Sequence, residues 1–320
     1  MTSTMAPSLR AIPASLSKTV SRASNLIAFQ KRLLLEDSSF FWMQNVARLQ
    51  QVRHWGAPKK PLARLTEEQI NQSPVRLDSS LQTVHQTFQQ DGYYQGIWLR
   101  PKTLEALLNF AYTSPCYGDR DANISFLISE REAVERRLGL SLKLASYFDS
   151  HESCPAFQQI KQDPLVIAIA AQHLGHTPIY SKAELLWSFP RQATQTEKIA
   201  SAQVLHCDIN DYRTVKFFFY LTEVDLTSGP HVYIKGSHRN RSLLHQLMGQ
   251  GIASIPDEKL TECYGPDRVT PVCGPAGFGF AGDPYVLHRG TTPSQKPRLM
   301  LQLEYTINTY KTWYFPMPAS

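Results

Sequence analysis

The sequence has few cysteines, and they are not placed as a disulfide framework or a structural zinc site requires. The 320 residues contain five cysteines, an odd number, and no two of them form a Cys-x-x-Cys pair. Small disulfide-stabilised domains and zinc modules instead use even or closely spaced sets. We therefore expect a protein of a reducing compartment, with the cytoplasm as the default.

Long apolar runs are also missing. The longest, at residues 164–171 and 217–221, are far shorter than the roughly 20 residues with which a helix crosses a bilayer. The chain is nevertheless 42% hydrophobic and 11% aromatic, which is enough to bury a substantial core. The composition predicts a soluble folded protein without a membrane span.

Acidic side chains are absent from the first 35 residues. Five basic residues lie there, at Arg10, Lys18, Arg22, Lys31 and Arg32, and the rest of the chain carries 28 basic against 27 acidic side chains. The net charge of +6 thus belongs to the tail, and the nearly neutral body gives no reason to expect a nucleic-acid groove. The basic, serine-containing tail leaves organelle import open as an alternative.

The pattern along the chain predicts three parts. Residues 1–75 form an N-terminal extension, with a flexible tail followed by a helical segment and a linker rich in proline and glycine at 55–61. Residues 76–310 form the main domain, and residues 311–320 form a C-terminal tail.

The main domain begins with helices and continues with strands. Asp163 and Pro164 are typical of a helix start, and Gly175 is typical of a helix end. Beyond them, short segments rich in aromatic and β-branched residues predict strands. These segments are 184–189, 202–208, 214–224, 231–234, 277–280, 285–288 and 298–306. We expect an α+β fold in which an antiparallel barrel or jelly roll carries helices on its outside.

Two histidines and an aspartate are candidate metal ligands. His206 and Asp208 are two positions apart in a predicted strand and would share one face. Such a triplet alone is more often a hydrogen-bonded surface pair. His288, which closes another predicted strand 80 residues after Asp208, changes this reading, because two histidines and one carboxylate suit a ferrous ion that keeps coordination positions open.

Arg298 stands at the head of an apolar strand, 299–301 and beyond. A buried guanidinium is costly without a partner. An anionic cosubstrate would supply one, since arginine binds a carboxylate through two parallel hydrogen bonds.

The ordered set of motifs resembles the phytanoyl-CoA dioxygenase-like branch of the iron(II)/2-oxoglutarate-dependent oxygenases. The resemblance covers residues 80–308. The motifs that carry it are 88–93 (FQQDGY), His206-x-Asp208, 221–225 (LTEVD) leading to 228–230 (SGP), 236–239 (GSHR), Gly282-Asp283 before His288, and Arg298.

The resemblance implies a fold, a ligand set and a reaction. The fold would be a double-stranded β-helix (jelly-roll, cupin-like) core with flanking helices. His206, Asp208 and His288 would bind Fe(II), and Arg298 would hold the distal carboxylate of 2-oxoglutarate. The enzyme would use O2 to hydroxylate a small molecule and release succinate and CO2. Asp208 favours hydroxylation or a related oxidation over halogenation, because related halogenases have a small residue at that position.

Some positions remain open. Many relatives outside this branch place a serine where Met300 stands, so the second contact to the distal carboxylate is unassigned, with Thr291, Thr292 and Ser294 as candidates by proximity only. Lys216 either reaches the edge of its strand or faces the cosubstrate.

Other segments receive structural roles. The resemblance assigns His231 and His238 to the support of turns, and Cys207 is expected to be a small core residue. The segment 240–269 interrupts the strand pattern and is expected to flank the mouth of the site as a lid.

Two other classes of function remain as alternatives. The first is a catalytically silent metal-binding jelly roll that acts as a ligand-binding or scaffold protein. The second, weaker one is a metal-dependent isomerase or hydrolase on a cupin-like barrel. The sequence leaves open the substrate, hydroxylation against another oxidation, the oligomeric state and the role of residues 1–75.

Overall fold

The computed structural model describes residue 28 and residues 30–54 and 65–311. The predicted tail at 1–27, the predicted linker at 55–61 and nearly all of the predicted C-terminal tail therefore lie outside the described residues. No helix in the described ranges is both long enough and apolar enough to cross a membrane.

The chain divides into two units. The smaller one contains the described residues up to Asn45 together with Tyr310 and Lys311. Its main element is helix α1 (Ser38–Val46). The side chain of Asp37 caps the start of this helix by accepting a hydrogen bond from the amide of Phe40 at 3.1 Å. The ring of Phe40 packs edge-on against the ring of Tyr310, with centroids 5.1 Å apart.

The larger unit, residues 46–309, contains every described strand. The strands are β1 (Val75–Leu77), β2 (Tyr93–Leu99), β3 (Cys116–Gly118), β4 (Ser125–Phe126), β5 (Leu144–Tyr147), β6 (Ile179–Ser188), β7 (Thr214–Tyr220), β8 (His231–Ile234), β9 (Val269–Val272), β10 (Phe278–Gly282), β11 (His288–Arg289) and β12 (Arg298–Thr306).

The larger unit also contains eleven helices among its described residues. They are α2 (Gln50–His54), α3 (Glu67–Gln72), α4 (Leu81–Asp91), α5 (Pro101–Thr113), α6 (Arg131–Leu138), α7 (Ser150–Ser153), α8 (Pro155–Gln162), α9 (Pro164–Leu174), α10 (Gln195–Ala200), α11 (Leu243–Met248) and α12 (Asp257–Tyr264). Short 3-10 turns occupy Ile128–Glu130, Gly249–Ser254 and Pro266–Arg268.

The strands form two antiparallel sheets. The large sheet has the order β1-β2-β10-β7-β12-β6-β5-β3-β4, and the small sheet has the order β11-β8-β9. The two sheets pack face to face, as shown by the stacked rings of Tyr93 and Tyr233 at 4.5 Å. The expected α+β class, with antiparallel sheets and flanking helices, is confirmed.

Strand β12 shows how the sequence separates the two faces of the large sheet. Leu299, Leu301 and Leu303 belong to the core under the helices, whereas the alternate residues Arg298 and Met300 face the small sheet and the space between the sheets. Because successive side chains of a strand point to opposite faces, one strand supplies both the main core and the lining of the site.

Helix α9 forms as its end signals predict. The Asp163 side chain accepts a hydrogen bond from the amide of Val166 at 2.9 Å, Pro164 occupies the first turn, and Gly175 ends the helix with φ of 67°. A positive φ is inexpensive for glycine, which explains why the helix stops there.

The strand predicted at 202–208 does not form. Ala202 has φ of 53°, and the amide of Leu205 donates to Oδ1 of Asp257 at 2.7 Å instead of to a neighbouring strand. The segment keeps one bridge, in which His206 and His288 exchange two backbone hydrogen bonds of 3.0 and 2.9 Å. A local turn and a side-chain acceptor therefore replace the expected ladder.

The segment 240–269 lies behind the candidate ligands and not over them, so the lid expectation is wrong. Leu260 and Tyr264 of α12 are buried in one apolar cluster with Leu205, Cys207 and Leu287. These last three residues are the immediate chain neighbours of the candidate metal ligands. The segment therefore supports the backbone that carries the site.

Candidate functional site

The structure brings His206, Asp208 and His288 together. One possible ligand atom from each residue lies within 4.8 Å of the others. Nε2 of His206 is 3.7 Å from Oδ1 of Asp208, and Nε2 of His288 is 3.9 Å from Oδ2 of Asp208. Within the described residues this is the one group of three or more such side chains that could hold a metal ion.

The backbone sets the direction of both imidazoles in the same way. Nδ1 of His206 donates to the carbonyl of Val204 at 2.8 Å, and Nδ1 of His288 donates to the carbonyl of Val286 at 2.8 Å. A hydrogen bond of this kind fixes the tautomer and leaves the Nε2 lone pair free for a metal. Both rings thus present an acceptor nitrogen to Asp208.

Lys216 lies against the aspartate. Its Nζ is 2.5 Å from Oδ2 of Asp208 and 3.5 Å from Oε2 of Glu304, whose side chain is 2% exposed. Of the two alternatives for Lys216, an edge position or an inward one, the structure has the inward one. The ammonium supplies the lysine counter-charge of Asp208 and lies within reach of Glu304.

These contacts set the protonation states. Burial raises the pKa of Asp208, but the ammonium of Lys216 and the two imidazoles outweigh it and hold that pKa well below its usual range. Burial, with the neighbouring His206, lowers the pKa of His288 to about 3. At neutral pH the aspartate is charged and His288 is a neutral ligand, as divalent metal binding requires.

Arg298 is buried without an acidic partner. Its side chain donates from Nη1 to the carbonyl of Gly229 and from Nη2 to Oγ of Ser188 at 3.4 Å. Its Nε has no hydrogen-bond partner, and the residue is 6% exposed. No acidic side chain in the described ranges forms an ion pair with it, so a buried positive charge remains without a counter-charge.

One cavity joins the triad to Arg298. It has a volume of about 560 Å³, and its walls include the three candidate ligands together with Lys216 and Arg298. No residue of 240–269 lies in its wall. A second cavity of about 560 Å³ shares Arg120, Glu184, Lys216 and Gln302 with the first, so there is further space next to the triad.

The hydroxyl groups considered as second carboxylate contacts already have acceptors. Thr291 donates to the carbonyl of Pro230 at 2.6 Å, and Ser294 donates to the carbonyl of Thr227 at 3.2 Å. The hydroxyl of Thr292 is bonded to the side chain of Gln203. The hydroxyl hydrogens of these three residues are therefore already used and are not free to make the second contact to a carboxylate.

His231 is a cavity residue and not the turn support that the sequence suggested. Its imidazole stacks on that of His288, with centroids 5.3 Å apart and planes at 17°, and it lines the cavity. Its Nε2 is buried without a partner. Burial, together with the nearby His288 and Arg298, lowers the pKa of His231 well below its ordinary value.

His238 and Cys207 lie outside the cavity wall. His238 accepts a contact from Gln50 through its backbone carbonyl, and Cys207 is buried next to the guanidinium of Arg241, with Sγ and Nη1 3.2 Å apart. The core role expected for Cys207 agrees with this position.

The residues present fit a divalent metal ion. Two imidazole nitrogens and a charged carboxylate converge at the spacings given above, and second hydrogen bonds orient both rings. That donor set, with no further protein ligand among the described residues, is the one typical of non-haem iron sites. The guanidinium of Arg298, which has no counter-charge among the described residues and whose Nε has no hydrogen-bond partner, fits an anion in the same cavity.

Sequence reasoning missed Glu304 and gave His231 the wrong role. Glu304 follows Arg298 and Gln302 at even spacing along β12, so a period of two could have placed it on the cavity face. His231 and Tyr233 alternate in the same way in β8, but the face they share is evident only from the pairing of β8 with β9 and β11.

Comparisons with known proteins give a distant structural likeness. No protein-family profile and no curated protein matches the chain. Among solved structures, the chain is similar to the non-heme alpha ketoglutarate dependent epimerase SnoN from nogalamycin biosynthesis, with 15% identity, 73% of this chain and 87% of SnoN covered, and a TM-score of 0.49.

Two other structures have similar scores. EctD from S. alaskensis with bound Fe is 17% identical, with 78% of this chain and 82% of EctD covered and a TM-score of 0.48. The non-heme alpha ketoglutarate dependent carbocyclase SnoK is 15% identical, with 71% and 84% covered and a TM-score of 0.44. SnoN has also been solved with Fe3+ and alpha ketoglutarate, and EctD with 2-oxoglutarate. At these identities and TM-scores the likeness assigns neither a family nor an activity to this chain.

Proposed function

We propose that the protein is an iron(II)- and 2-oxoglutarate-dependent dioxygenase that hydroxylates a small molecule. His206, Asp208 and His288 would hold the iron, and Arg298 would bind the distal carboxylate of 2-oxoglutarate. The observation that carries the proposal is that a metal-compatible triad and a buried, unpaired arginine line one cavity.

Iron and 2-oxoglutarate, when bound, would supply an oxidation in which O2 is consumed, 2-oxoglutarate is converted into succinate and CO2, and the substrate receives an oxygen atom. The protein groups have complementary tasks. The carbonyls of Val204 and Val286 accept hydrogen bonds from Nδ1 of His206 and of His288. The ammonium of Lys216 donates to Oδ2 of Asp208. These contacts fix the ligands before the metal arrives, which reduces the entropy lost on binding.

Arg298 gives selectivity for a dicarboxylate. Its charge is buried among neutral groups. A carboxylate that enters the cavity can therefore form charge-assisted hydrogen bonds with the guanidinium. A 2-oxo acid without a distal carboxylate would leave the guanidinium unpaired. We expect such an acid to bind much more weakly.

The finer assignments belong to the same proposal. The two packed sheets would form the jelly-roll core of a phytanoyl-CoA dioxygenase-like protein, and Asp208 would direct the reaction to hydroxylation and away from halogenation. The widely spaced cysteines are compatible with a cytoplasmic location.

The test is O2-dependent turnover of 2-oxoglutarate. Anaerobically purified protein with Fe(II) and 2-oxoglutarate is given O2, with and without members of a compound library, and succinate is measured. We expect slow release of succinate by the wild type, faster release with a substrate, and none by His206→Ala. Asp267→Ala, which removes an exposed carboxylate, is the control and should behave as wild type. A wild type that never releases succinate would support the silent metal-binding protein instead.

A further inference from the structure

His231 stands at the start of β8 in a wall of aromatic rings. Its centroid lies 4.8 Å from that of Phe218 and 5.6 Å from that of Phe280, and the residue is 6% exposed. An apolar side chain would satisfy packing of this kind equally well. The presence of an imidazole therefore needs another reason.

The unused nitrogen of His231 gives that reason. Nε2 has no hydrogen-bond partner among the described residues, although the ring lines the cavity that contains the triad. Buried polar atoms are almost always paired, and an unpaired one is costly. A polar atom that is buried, unpaired and next to a cavity points to a ligand that pairs with it.

Arg298, near His231, also has a buried nitrogen without a hydrogen-bond partner. Its Nη1 donates to the carbonyl of Gly229, two residues before His231, whereas its Nε is the nitrogen without a partner. Two unsatisfied buried groups, one a cation, thus line the same cavity.

The nearby hydroxyl groups cannot easily take this role. Thr291 and Thr292 also line the cavity, but their hydroxyl oxygens are already bonded to the carbonyl of Pro230 and to the side chain of Gln203. Recruiting either hydroxyl would break a bond that exists, whereas recruiting His231 breaks none.

We propose that His231 is the second contact to the cosubstrate, donating from Nε2 to the carboxylate that Arg298 binds. This inference rests on the proposed function. His231 is then a positioning and specificity residue for the dicarboxylate and not a metal ligand, although its ring stacks on that of His288.

The experiment measures equilibrium binding of 2-oxoglutarate to the full chain loaded with Fe(II) under anaerobic conditions, by calorimetry. His231→Phe keeps an aromatic ring next to Phe218 and removes both nitrogens. Loss of one hydrogen bond to a charged group should weaken 2-oxoglutarate binding about 10- to 100-fold. The affinity for Fe(II) in the absence of 2-oxoglutarate should change less than about threefold.

A second ligand identifies the carboxylate involved. 2-Oxopentanoate has the same carbon chain without the distal carboxylate, so wild type and His231→Phe should bind it with equal affinity. His231→Gln, which can again offer an N–H, should recover most of the affinity for 2-oxoglutarate. His238→Leu changes a histidine outside the cavity wall and is the control, with 2-oxoglutarate affinity expected at the wild-type level.

Each contrary result has a distinct meaning. If His231→Phe binds 2-oxoglutarate as tightly as wild type, or weakens both acids equally, His231 only packs and the inference is wrong while the proposed function stands. If the variant loses Fe(II), His231 is a metal ligand and the inference is wrong. If wild type with bound metal does not bind 2-oxoglutarate, the proposed function fails with it. Should His231→Phe not fold, as judged by circular dichroism, His231→Leu is measured against the same expectations.

Discussion

Nζ of Lys216 lies 2.5 Å from Oδ2 of Asp208 and forms an ion pair with it. The same ammonium reaches Glu304 on β12 at 3.5 Å, so one cation joins a candidate metal ligand to the wall of the large sheet. The aspartate is therefore oriented before any metal binds, and its Oδ1 remains available.

Removal of this ammonium should destabilise the metal-free protein. Lys216→Met would leave Asp208 without its ammonium partner in a largely buried site, and breaking such a pair lowers the free energy of unfolding by about 3 kcal/mol. Lys182→Met is the matched control, because the Lys182 side chain is 62% exposed although its Nζ is 3.7 Å from Glu304. That control should cost less than about 1 kcal/mol.

The same variant should depend more strongly on metal. With the ammonium gone, a divalent ion meets less repulsion and an Asp208 carboxylate that has lost its cation, so added metal should raise the unfolding free energy of Lys216→Met by more than that of wild type. Urea unfolding with metal and with chelator measures both quantities. Equal stabilisation of the two proteins by metal would contradict this account of Lys216.

Arg53 and Asp283 should contribute strongly to stability. Nη2 of Arg53 is 3.1 Å from Oδ1 of Asp283, with side chains 6% and 10% exposed, and its guanidinium lies 4.1 Å from the ring centre of Tyr285. Arg53→Met should therefore lower the unfolding free energy by about 3–5 kcal/mol at pH 7. Arg76→Met, which breaks an ion pair with both side chains about half exposed, should lower it by less than about 1 kcal/mol.

The Arg53 effect should also depend on pH. Burial raises the pKa of Asp283, but Arg53 and His173 lower it by more, so in the folded protein that pKa is below its ordinary value. A depressed carboxyl pKa stabilises the fold above the unfolded-state pKa of about 4, and the contribution is lost as pH falls through the folded-state value. Without Arg53, only His173 and hydrogen bonds oppose the effect of burial, so the pKa of Asp283 is higher in folded Arg53→Met than in folded wild type. The difference in unfolding free energy between the two proteins should therefore shrink as pH falls through that higher value, and a difference that grows as pH falls would exclude this pair as its source.

His238 should make the protein lose stability in mild acid. Burial lowers the pKa of His238 from 6.5 to about 4. Between pH 6.5 and pH 4 its imidazole is therefore protonated in the unfolded chain and neutral in the folded chain. Stability should fall from about pH 6.5 and this loss should level off near pH 4, amounting to at most about 3 kcal/mol. Urea midpoints of chelator-treated wild type and His238→Leu test this, and the variant should have the shallower slope. Parallel slopes would assign the acid sensitivity to other groups.

Thiol reactivity should distinguish two sets of cysteines. Cys116, Cys154 and Cys207 are buried, while Cys263 and Cys273 are exposed. Burial also raises the pKa of Cys207, which suppresses the reactive thiolate. An aromatic disulfide reagent should therefore modify two cysteines in the folded protein and five in denaturant. Rapid modification of Cys207 in the folded state would contradict this expectation, because it would show that the apolar cluster around Cys207 opens.

The sequence predicted those features that depend on local chemistry or on alternation within one element. Asp163, Pro164 and Gly175 marked the ends of α9. The candidate ligands His206 and Asp208 could be paired because they are two positions apart, although the strand expected there is reduced to a single bridge.

Features that depend on long-range pairing were beyond sequence reasoning. The bridge between His206 and His288 and the contact of Lys216 with Glu304 each depend on the order of strands in a sheet. The position of 240–269 depends on an apolar cluster formed with Leu205 and Leu287, which no local pattern reveals. The inward position of His231 needed the register of β8 for the same reason.

The central claim is that His206, Asp208 and His288 bind one ferrous ion next to a 2-oxoglutarate held by Arg298. Anaerobic titration with Fe(II) and then with 2-oxoglutarate, followed by visible absorption, tests it most directly, because a 2-oxo acid chelated to ferrous iron gives a charge-transfer band. We predict the band at one equivalent of iron in the wild type, its loss in His288→Ala, and its appearance only at higher 2-oxoglutarate concentration in Arg298→Ala. A wild type without the band, or a His288→Ala variant that keeps it, would contradict the account.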